Sequence, residues 1–363
     1  MKILVGICGI GNGHCSRQSI IIDKLIERGH DVRILTYGKG IKYYSETKIK
    51  TYKVFVPFIT FKGEKINFLD VIEKNFFKAI PGFFTNLFLL IKLKITNFIP
   101  DVCISDYEPT VALFSYIFKK PLINIDQQSK FLYMSNDNIN GFSILEEKNR
   151  LNLFFPRYTQ KIIFSFYKVN NMMLPNDVLL VPAIIKNEIK INNKPKKNKK
   201  VIVYFSKFID KSINQDYFDI FNLFGKFSDF LFVIYINDNT HFECNYSNIV
   251  VKYNKLNDFS IDFGDSCAVI STAGHTLISE AIYCNIPTFV IPLPTYDQNY
   301  CAKFILNNKI GYSDMVLNYD NLSYFLNNID YFKKNLLCCE NILYDNDSLN
   351  IIIKEIEKYE SNY

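Results

Sequence analysis

Three short stretches carry residue types at spacings that could do chemistry. The first is GICGIGNGHCSR, residues 6–17. An apolar run stops at a glycine-rich turn, and a helical pattern begins near His14. Gly9, Gly11 and Gly13 let backbone come close to a ligand, and a helix N-terminus offers free N–H groups to an anion. A dinucleotide fingerprint, G-x-G-x-x-G, fits only in its first two glycines, because its third falls on His14. The next strand ends in Thr36, without the acidic residue that binds a ribose hydroxyl. His14, placed directly after the turn, is a candidate general base, and the bland alternative is a capping residue. Gly11, Asn12, Gly13 and Arg17 are candidate contacts to a substrate hydroxyl on the same loop.

The second stretch is DVCISDYEP, residues 101–109. A buried strand delivers Asp106 and Glu108 at its carboxyl end, and Pro109 opens a helix at its first position. Two carboxylates there can orient a histidine or bind hydroxyls. They can also cap the helix, worth about 0.5–1 kcal/mol without any chemistry. Asp106 is nearer the strand end and is taken as functional, while both readings stay open for Glu108. A similar strand end, LINIDQQSK, brings Asp126 to the same edge, and Glu108 and Asp126 join the loop residues as candidate contacts to an acceptor.

The third stretch, residues 267–305, is the most informative. A strand runs into Thr272, Ala273, Gly274, His275 and Thr276, where a helix begins. Small residues before a helix N-terminus make a seat for a diphosphate from backbone N–H groups. Glu280 lies about one turn further on and could accept hydrogen bonds from a ribose diol. The following strand ends in PLPTYDQ, where Asp297 and Gln298 can accept from and donate to sugar hydroxyls. The plain alternative is an ordinary strand–helix–strand unit with Glu280 solvated.

The elements that must hold these residues alternate from end to end. Strand candidates fall at 2–7, 31–36, 52–58, 101–105, 122–126 and 178–182, with helical patterns near 14–29, 68–98, 109–119 and 144–168. After a polar Lys- and Asn-rich stretch, 183–200, read as a linker or exposed loop, strands recur at 201–205, 230–236, 248–253, 267–271 and 287–292. Such alternation implies parallel sheets with helices on both faces. The fold class is therefore α/β, with two doubly wound Rossmann-like domains facing a cleft: residues 1–182, then 183–347. A last helix, 348–361, could pack back on the first domain. Ligands in such sheets sit beyond the carboxyl ends of the strands.

The 363 residues, 48% hydrophobic and 21% charged, suffice for two cores and exclude wholesale disorder. Nine scattered cysteines without CxxC spacing, and four histidines, fit reduced thiols and argue against a zinc site or a disulfide framework. Glycines break the first apolar run, which is not read as a signal peptide. The most apolar stretch, Phe83–Ile91, stops at Lys92, so no membrane-spanning helix is expected. Net charge is +6 and uneven: the first 182 residues hold 24 basic against 15 acidic side chains, the remainder 18 against 21. The lysines are dispersed and no nucleic-acid motif is present.

Taken in order, the GH glycine loop, SDYEP, S-T-A-G-H-T-x-x-x-E-A and P-L-P-x-x-D-Q resemble glycosyltransferases of the two-Rossmann (GT-B) fold. The likeness is strongest to a family 28-like group of bacterial and archaeal proteins. It is more distant to the peptidoglycan N-acetylglucosaminyltransferase and the plant UDP-glycosyltransferases. It implies an acceptor on the first domain and a nucleotide sugar, UDP-sugar favoured, on the second. It implies that Gly274, His275 and Thr276 contact the diphosphate, Glu280 the ribose, and Asp297 with Gln298 the donor sugar. His14 matches a histidine proposed as general base, and Asp106 the aspartate that pairs with it. The chain has no Trp, so the uracil-stacking residue of plant enzymes is absent, and 253–258 is the candidate base-contacting segment.

The expected activity is a metal-independent, inverting transfer to a hydroxyl acceptor, with no cofactor, by a cytoplasmic enzyme. Residues 76–98 combine aromatics with Lys78, Lys92 and Lys94. A helix covering the sheet is the favoured reading. Peripheral contact with the inner membrane face, and a lipid-linked or cell-surface acceptor, is the other. The rival functions are a GT-B-fold nucleotide-sugar epimerase and a non-catalytic nucleotide-sugar-binding protein.

Overall fold

A computed structural model of the protein describes residues 1–10, 12–58, 61–62, 65–168, 174–194, 199–205, 217–236, 244–253, 256–345 and 347–360. The chain divides into two compact units, Met1–Ile184 with Asp345–Tyr363, and Ile185–Tyr344. The first unit begins β1 (Lys2–Ile7), α1 (Asn12–Glu27), β2 (Asp31–Thr36), α2 (Lys39–Tyr44) and β3 (Lys50–Lys53). A small hairpin, β4 (Phe61–Lys62) and β5 (Lys65–Ile66), precedes α3 (Phe68–Ile95). Then come β6 (Val102–Asp106), α4 (Pro109–Phe118), β7 (Leu122–Asp126), a 3-10 turn at Gln128–Tyr133, α5 (Ile144–Phe154), β8 (Gln160–Ser165) and β9 (Val178–Pro182). Seven strands form one parallel sheet in the order β3-β2-β1-β6-β7-β8-β9.

The second unit holds α6 (Asn187–Asn192), β10 (Lys200–Tyr204), α7 (Tyr217–Gly225), β11 (Leu231–Ile236), β12 (Ile249–Tyr253) and α8 (Leu256–Gly264). It continues through β13 (Ala268–Thr272), α9 (His275–Tyr283), β14 (Thr288–Ile291), α10 (Tyr296–Asn307), β15 (Gly311–Ser313), α11 (Tyr319–Asn327) and α12 (Ile329–Cys338). Its six strands are parallel in the order β12-β11-β10-β13-β14-β15. The last helix, α13 (Ser348–Glu357), lies in the first unit, where Ile352, Ile353 and Ile356 share a core with Ile3, Val5 and Ile22. Glu357 of α13 also accepts from Arg28 at 2.7 Å.

Both sheets bury apolar side chains on both faces, as crossover helices require. In β1, Ile3, Val5 and Ile7 enter the core that contains α13, while Leu4 faces the core on the other side. Each strand order reverses once: at β1/β6 in the first sheet and at β10/β13 in the second. Such switch points leave a crevice beyond the carboxyl ends, where ligands bind.

Three expectations are corrected. The helical pattern over 144–168 is two elements: Pro156 stops α5, and Gln160–Ser165 is strand β8. The stretch read as a linker or exposed loop holds α6, whose Ile189 is buried with Ile185 in the second unit's core. Residues 195–198 lie outside the described residues. The third concerns α3. Its segment Leu69–Ile95 is long and apolar enough to cross a membrane by length and composition. The helix expected near 68–98 runs over these residues, with Pro81 inside it and Lys92 and Lys94 in its last turn, and only the expectation that no stretch reaches spanning length is changed.

As a cover for the sheet α3 serves through its C-terminal part alone, where Leu89 and Leu93 share a core with Leu4, Leu35 and Cys103. Elsewhere its large apolar side chains face outward: Phe77 is 86% exposed, and Leu69, Phe76, Ile80, Phe83 and Phe88 are all exposed. Its inward stripe, Asn75, Gly82, Asn86, Leu89 and Leu93, is partly polar. Asn86 brackets the backbone of Phe55, accepting from its N–H and donating to its carbonyl, both at 2.9 Å. Asn75 does the same at Phe58, at 2.9 and 2.8 Å. A Cβ at Gly82 would sit 2.1 Å from the Phe55 ring, so only glycine lets that ring reach the helix. Val54 N–H still donates to Thr36 of β2, and these bonds take up backbone groups that residues 55–58, expected as strand, do not share with the sheet.

Candidate active site

The switch point of the first sheet is built from β1, β6 and the start of α1. Ile7 pairs with Asp106, and the Cys8 N–H donates to the Asp106 carbonyl at 3.0 Å. The loop then turns into α1, where His14, Arg17 and Gln18 sit at i, i+3 and i+4, on one helical face. All three converge on Asp106. His14 Nδ1 lies 2.8 Å from Oδ1; Arg17 Nη2 and Gln18 Nε2 donate to Oδ2 at 2.7 and 2.9 Å. Gln18 also donates to the Ile125 carbonyl at 2.9 Å, tying the helix to β7.

Asp106 is fully buried. Burial alone would raise its carboxyl, but Arg17, His14 and the Gln18 bond together hold it below the usual carboxylate range. An ionised Asp106 needs a proton between it and Nδ1, so Nδ1 is assigned as the N–H. Nε2 is then the nitrogen with a lone pair, and the side chain is 18% exposed. No described residue hydrogen-bonds Nε2. The arrangement can take a proton from a bound hydroxyl and stabilise the imidazolium that results.

Tyr107 backs this site and was not singled out from sequence. Its φ of 56° is left-handed, unusual for a bulky residue, and lets Asp106 and Glu108 serve opposite sides of the sheet. Its ring stacks beside His14 at 6.4 Å and 25°, and its hydroxyl donates to Glu147 at 2.7 Å.

Three other residues of this edge do structural work. Glu108 caps α4, accepting from the Thr110 and Val111 N–H groups at 2.8 and 2.7 Å, which settles its two readings in favour of the cap. Burial pushes its carboxyl up to about 7. Asp126 is likewise fully buried, with Oδ1 taken by the Ser129 N–H and Oδ2 by the Ser129 hydroxyl. The expectation that these two face an acceptor is corrected. Gly9 also has a structural reason: a Cβ there would fall 1.6 Å from the Tyr37 carbonyl oxygen. Gly11 lies outside the described residues; Asn12 and Gly13 begin α1. Burial drives the Cys8 and Cys15 thiols up to about 11 and about 12, so neither offers a ready thiolate.

The second unit's switch point is different in kind. β13 ends at Thr272, and the Gly274 N–H donates to the Thr272 carbonyl at 2.7 Å. Gly274 is the N-cap of α9 and has no side chain with which to cap its first turn. A Cβ at Gly274 would meet no atom within 4 Å among the described residues. His275 is buried beside Ser279, whose hydroxyl lies 3.5 Å from its Nδ1. Glu280 is buried too, with Oε1 3.5 Å from Lys186 Nζ, a neighbour that sequence reasoning missed. Gln298 Oε1, in the first turn of α10, accepts from the Leu293 N–H of the loop after β14 at 2.9 Å. Asp297 lies in the first turn of α10. Of the candidate base segment 253–258, residues 254 and 255 lie outside the described residues.

The family described as Glycosyl transferase family 1 matches residues 1–330. The chain belongs to that family. It is a glycosyltransferase. Among curated relatives, UDP-N-acetylglucosamine–N-acetylmuramyl-(pentapeptide) pyrophosphoryl-undecaprenol N-acetylglucosamine transferase of Rickettsia bellii is 24% identical over 341 residues. The match covers 86% of this chain and 85% of that one. The Rickettsia felis enzyme of the same name is 23% identical, covering 86% of each chain. Among solved structures, the kitacinnamycin glycotransferase has a TM-score of 0.70 at 14% identity, covering 99% of this chain and 98% of that one. Acinetobacter baumannii MurG has a TM-score of 0.62 at 12% identity, covering 98% and 99%. The Streptomyces sp. SF2575 glycosyltransferase SsfS6, solved with thymidine diphosphate, also has 0.62 at 12%, covering 99% of each chain. These likenesses establish the GT-B fold for the glycosyltransferase.

Proposed function

We propose that this glycosyltransferase moves a sugar from a nucleoside-diphosphate sugar, UDP-sugar favoured, onto a hydroxyl acceptor with inversion at the anomeric carbon. His14 takes the hydroxyl proton at Nε2. The acceptor oxygen bonds to the anomeric carbon as that carbon's bond to the diphosphate breaks, and the bonding pair leaves on the diphosphate. Asp106 holds the ring by Nδ1 and stabilises the imidazolium. In the second unit, Gly274, His275 and Thr276 at the start of α9, approached through Thr272 and Ala273, hold the leaving diphosphate as its charge grows. Glu280 takes the ribose, and Asp297 with Gln298 the donor sugar.

One observation carries this reading: the 2.8 Å contact between His14 and Asp106, residues 92 apart, at the carboxyl edge of the first sheet in a chain of a glycosyl-transferring family. The uncapped α9 with open space at Gly274 supports the donor seat. A nucleotide-sugar panel read by thermal shift tests the reading, because a ligand of the folded state adds RT ln(1+[L]/Kd) to stability. The expected result is the largest shift with a UDP-sugar, and nucleoside diphosphate released only when a hydroxyl acceptor is added. No shift with any nucleotide sugar contradicts the reading. So does conversion of the donor without an acceptor, which is epimerase behaviour, or binding that never leads to release.

The acceptor in this reading is lipid-linked and met at the cytoplasmic face of a membrane. The Rickettsia relatives are named for a pyrophosphoryl-undecaprenol compound. In this chain the support is α3, which exposes Leu69, Phe76, Phe77, Ile80, Phe83 and Phe88 while its inward stripe includes Asn75 and Asn86. At about 1.5 Å per residue it is about 42 Å long, enough to span. Its inward asparagines are bonded to its own unit, which favours lying in the interface with Lys78 and Lys94 toward anionic headgroups.

A further inference from the structure

Arg17 plays no part in the transfer as set out above, yet the fold places it at considerable cost. Its side chain is 5% exposed, and its Nε is buried without a hydrogen-bond partner among the described residues. Its guanidinium lies 5.2 Å from the centre of the Phe164 ring. A buried ion pair is weak evidence for stability, since desolvation offsets most of the attraction, and an unpaired donor makes the balance worse. The position therefore needs a reason other than stability.

The geometry supplies one. Arg17 Nη2 donates to Asp106 Oδ2 at 2.7 Å, on the oxygen that His14 does not use, and the same nitrogen is 3.3 Å from His14 Nδ1. A carboxylate beside an imidazole favours its charged form; a guanidinium beside it opposes that form. A general base must begin uncharged. The other ionisable groups facing this point among the described residues are Tyr107, whose ring lies along His14, Cys8 and Cys15 on the loop and helix, Tyr44 of α2, whose hydroxyl donates to the Cys15 carbonyl and whose proton burial holds, and Asp126 and Glu108 behind Asp106. Asp126 and Glu108 are buried, and the two thiols and Tyr107 hold their protons through neutral pH, so Arg17 is the cation that can offset Asp106.

We infer that Arg17 is a positioning residue for the reaction: it fixes the second oxygen of Asp106 and cancels that carboxylate's charge, so that His14 meets the acceptor unprotonated. This rests on His14 being the base. Gln18, which bonds the same oxygen, fixes the carboxylate but carries no charge, and so cannot do the second task.

The test compares R17Q, R17K, D106N and R17Q/D106N across the pH range by donor-dependent release of nucleoside diphosphate. R17Q is expected to lose about tenfold in kcat/KM near neutral pH and to recover most of it about two pH units higher, because one neighbouring cation is worth about one to three pH units. R17K keeps the charge and is expected to keep the wild-type pH profile with a lower kcat. D106N alone is expected to move the profile the opposite way, and R17Q/D106N to lie between the two single variants, because the guanidinium and the carboxylate act on His14 with opposite sign. A uniform loss at all pH values, or a double-variant profile outside the two single ones, overturns the inference. Should R17Q fail to fold, R17K against D106N still decides, because a changed profile in R17K contradicts the charge argument. Nitrogen NMR of the His14 ring reads the same point without turnover. R17Q is expected to move the ring toward imidazolium relative to the wild-type protein, and identical spectra overturn the inference. If the spectra change but no acceptor supports transfer, it is the transferase reading of the site that fails.

Discussion

The two switch points have the same architecture and opposite states of completion. At the first, every oxygen of Asp106 is taken and Gly9 is packed against the Tyr37 carbonyl. At the second, α9 starts without a side-chain cap and the space where a Gly274 side chain would go is empty of neighbours among the described residues. Under the proposed function the difference follows from what each edge has to do. A base is oriented and electrostatically set before the substrate arrives, so its partners are built in. A diphosphate seat calls for a helix start with no capping side chain of its own.

Asp106→Asn should break the first half of this contrast most severely. Nδ1 loses its carboxylate and Arg17 its counter-ion, so transfer is expected to fall about a hundredfold or more, with donor affinity unchanged. A loss of donor affinity equal to the loss of rate would erase the distinction between the two edges.

The glycines sharpen it. Gly9→Ala forces backbone apart and is expected to destabilise the first unit by about 2–3 kcal/mol, seen as a lower urea midpoint. Gly274→Ala meets nothing and is expected to leave the midpoint within about 0.5 kcal/mol while weakening donor binding about tenfold. Equal midpoints for the two variants would remove the contrast.

Glu108 gives a pH signature of the built-in edge. The folded chain keeps a proton there up to about 7, whereas the unfolded chain releases it near the ordinary glutamate value of 4.5. Between those values the native state binds more protons, so this group's contribution falls as pH rises from about 4.5 to about 7, by at most about 3 kcal/mol. The slope should be missing in Glu108→Gln, as measured by urea unfolding at each pH. The smallest effect is expected at α3. Phe77→Glu together with Lys94→Glu should reduce co-sedimentation with phosphatidylglycerol-containing vesicles several-fold and leave soluble-acceptor turnover unchanged. Unaltered vesicle binding would end the membrane reading.

Much of this was legible in the sequence, for local reasons. Strand, glycine turn and helix are written within a few residues at His14 and again at Gly274, so both edges could be found from punctuation alone. What escaped was set by distant partners. The Arg17 and Gln18 spacing is visible, but its target is 89 and 88 residues away. Helix α3 was misjudged because its inward face bonds a backbone stretch, which no hydropathy pattern records. Glu108 and Asp126 were ambiguous because a capping carboxylate and a substrate-binding one look alike until both oxygens are seen to be occupied.

The division of labour is tested most directly in His14→Ala, by measuring donor affinity calorimetrically and nucleoside diphosphate release in the same preparation. UDP-sugar binding within about twofold of wild type, with release reduced about a thousandfold, is the expected result. Release at the wild-type rate would contradict the account outright.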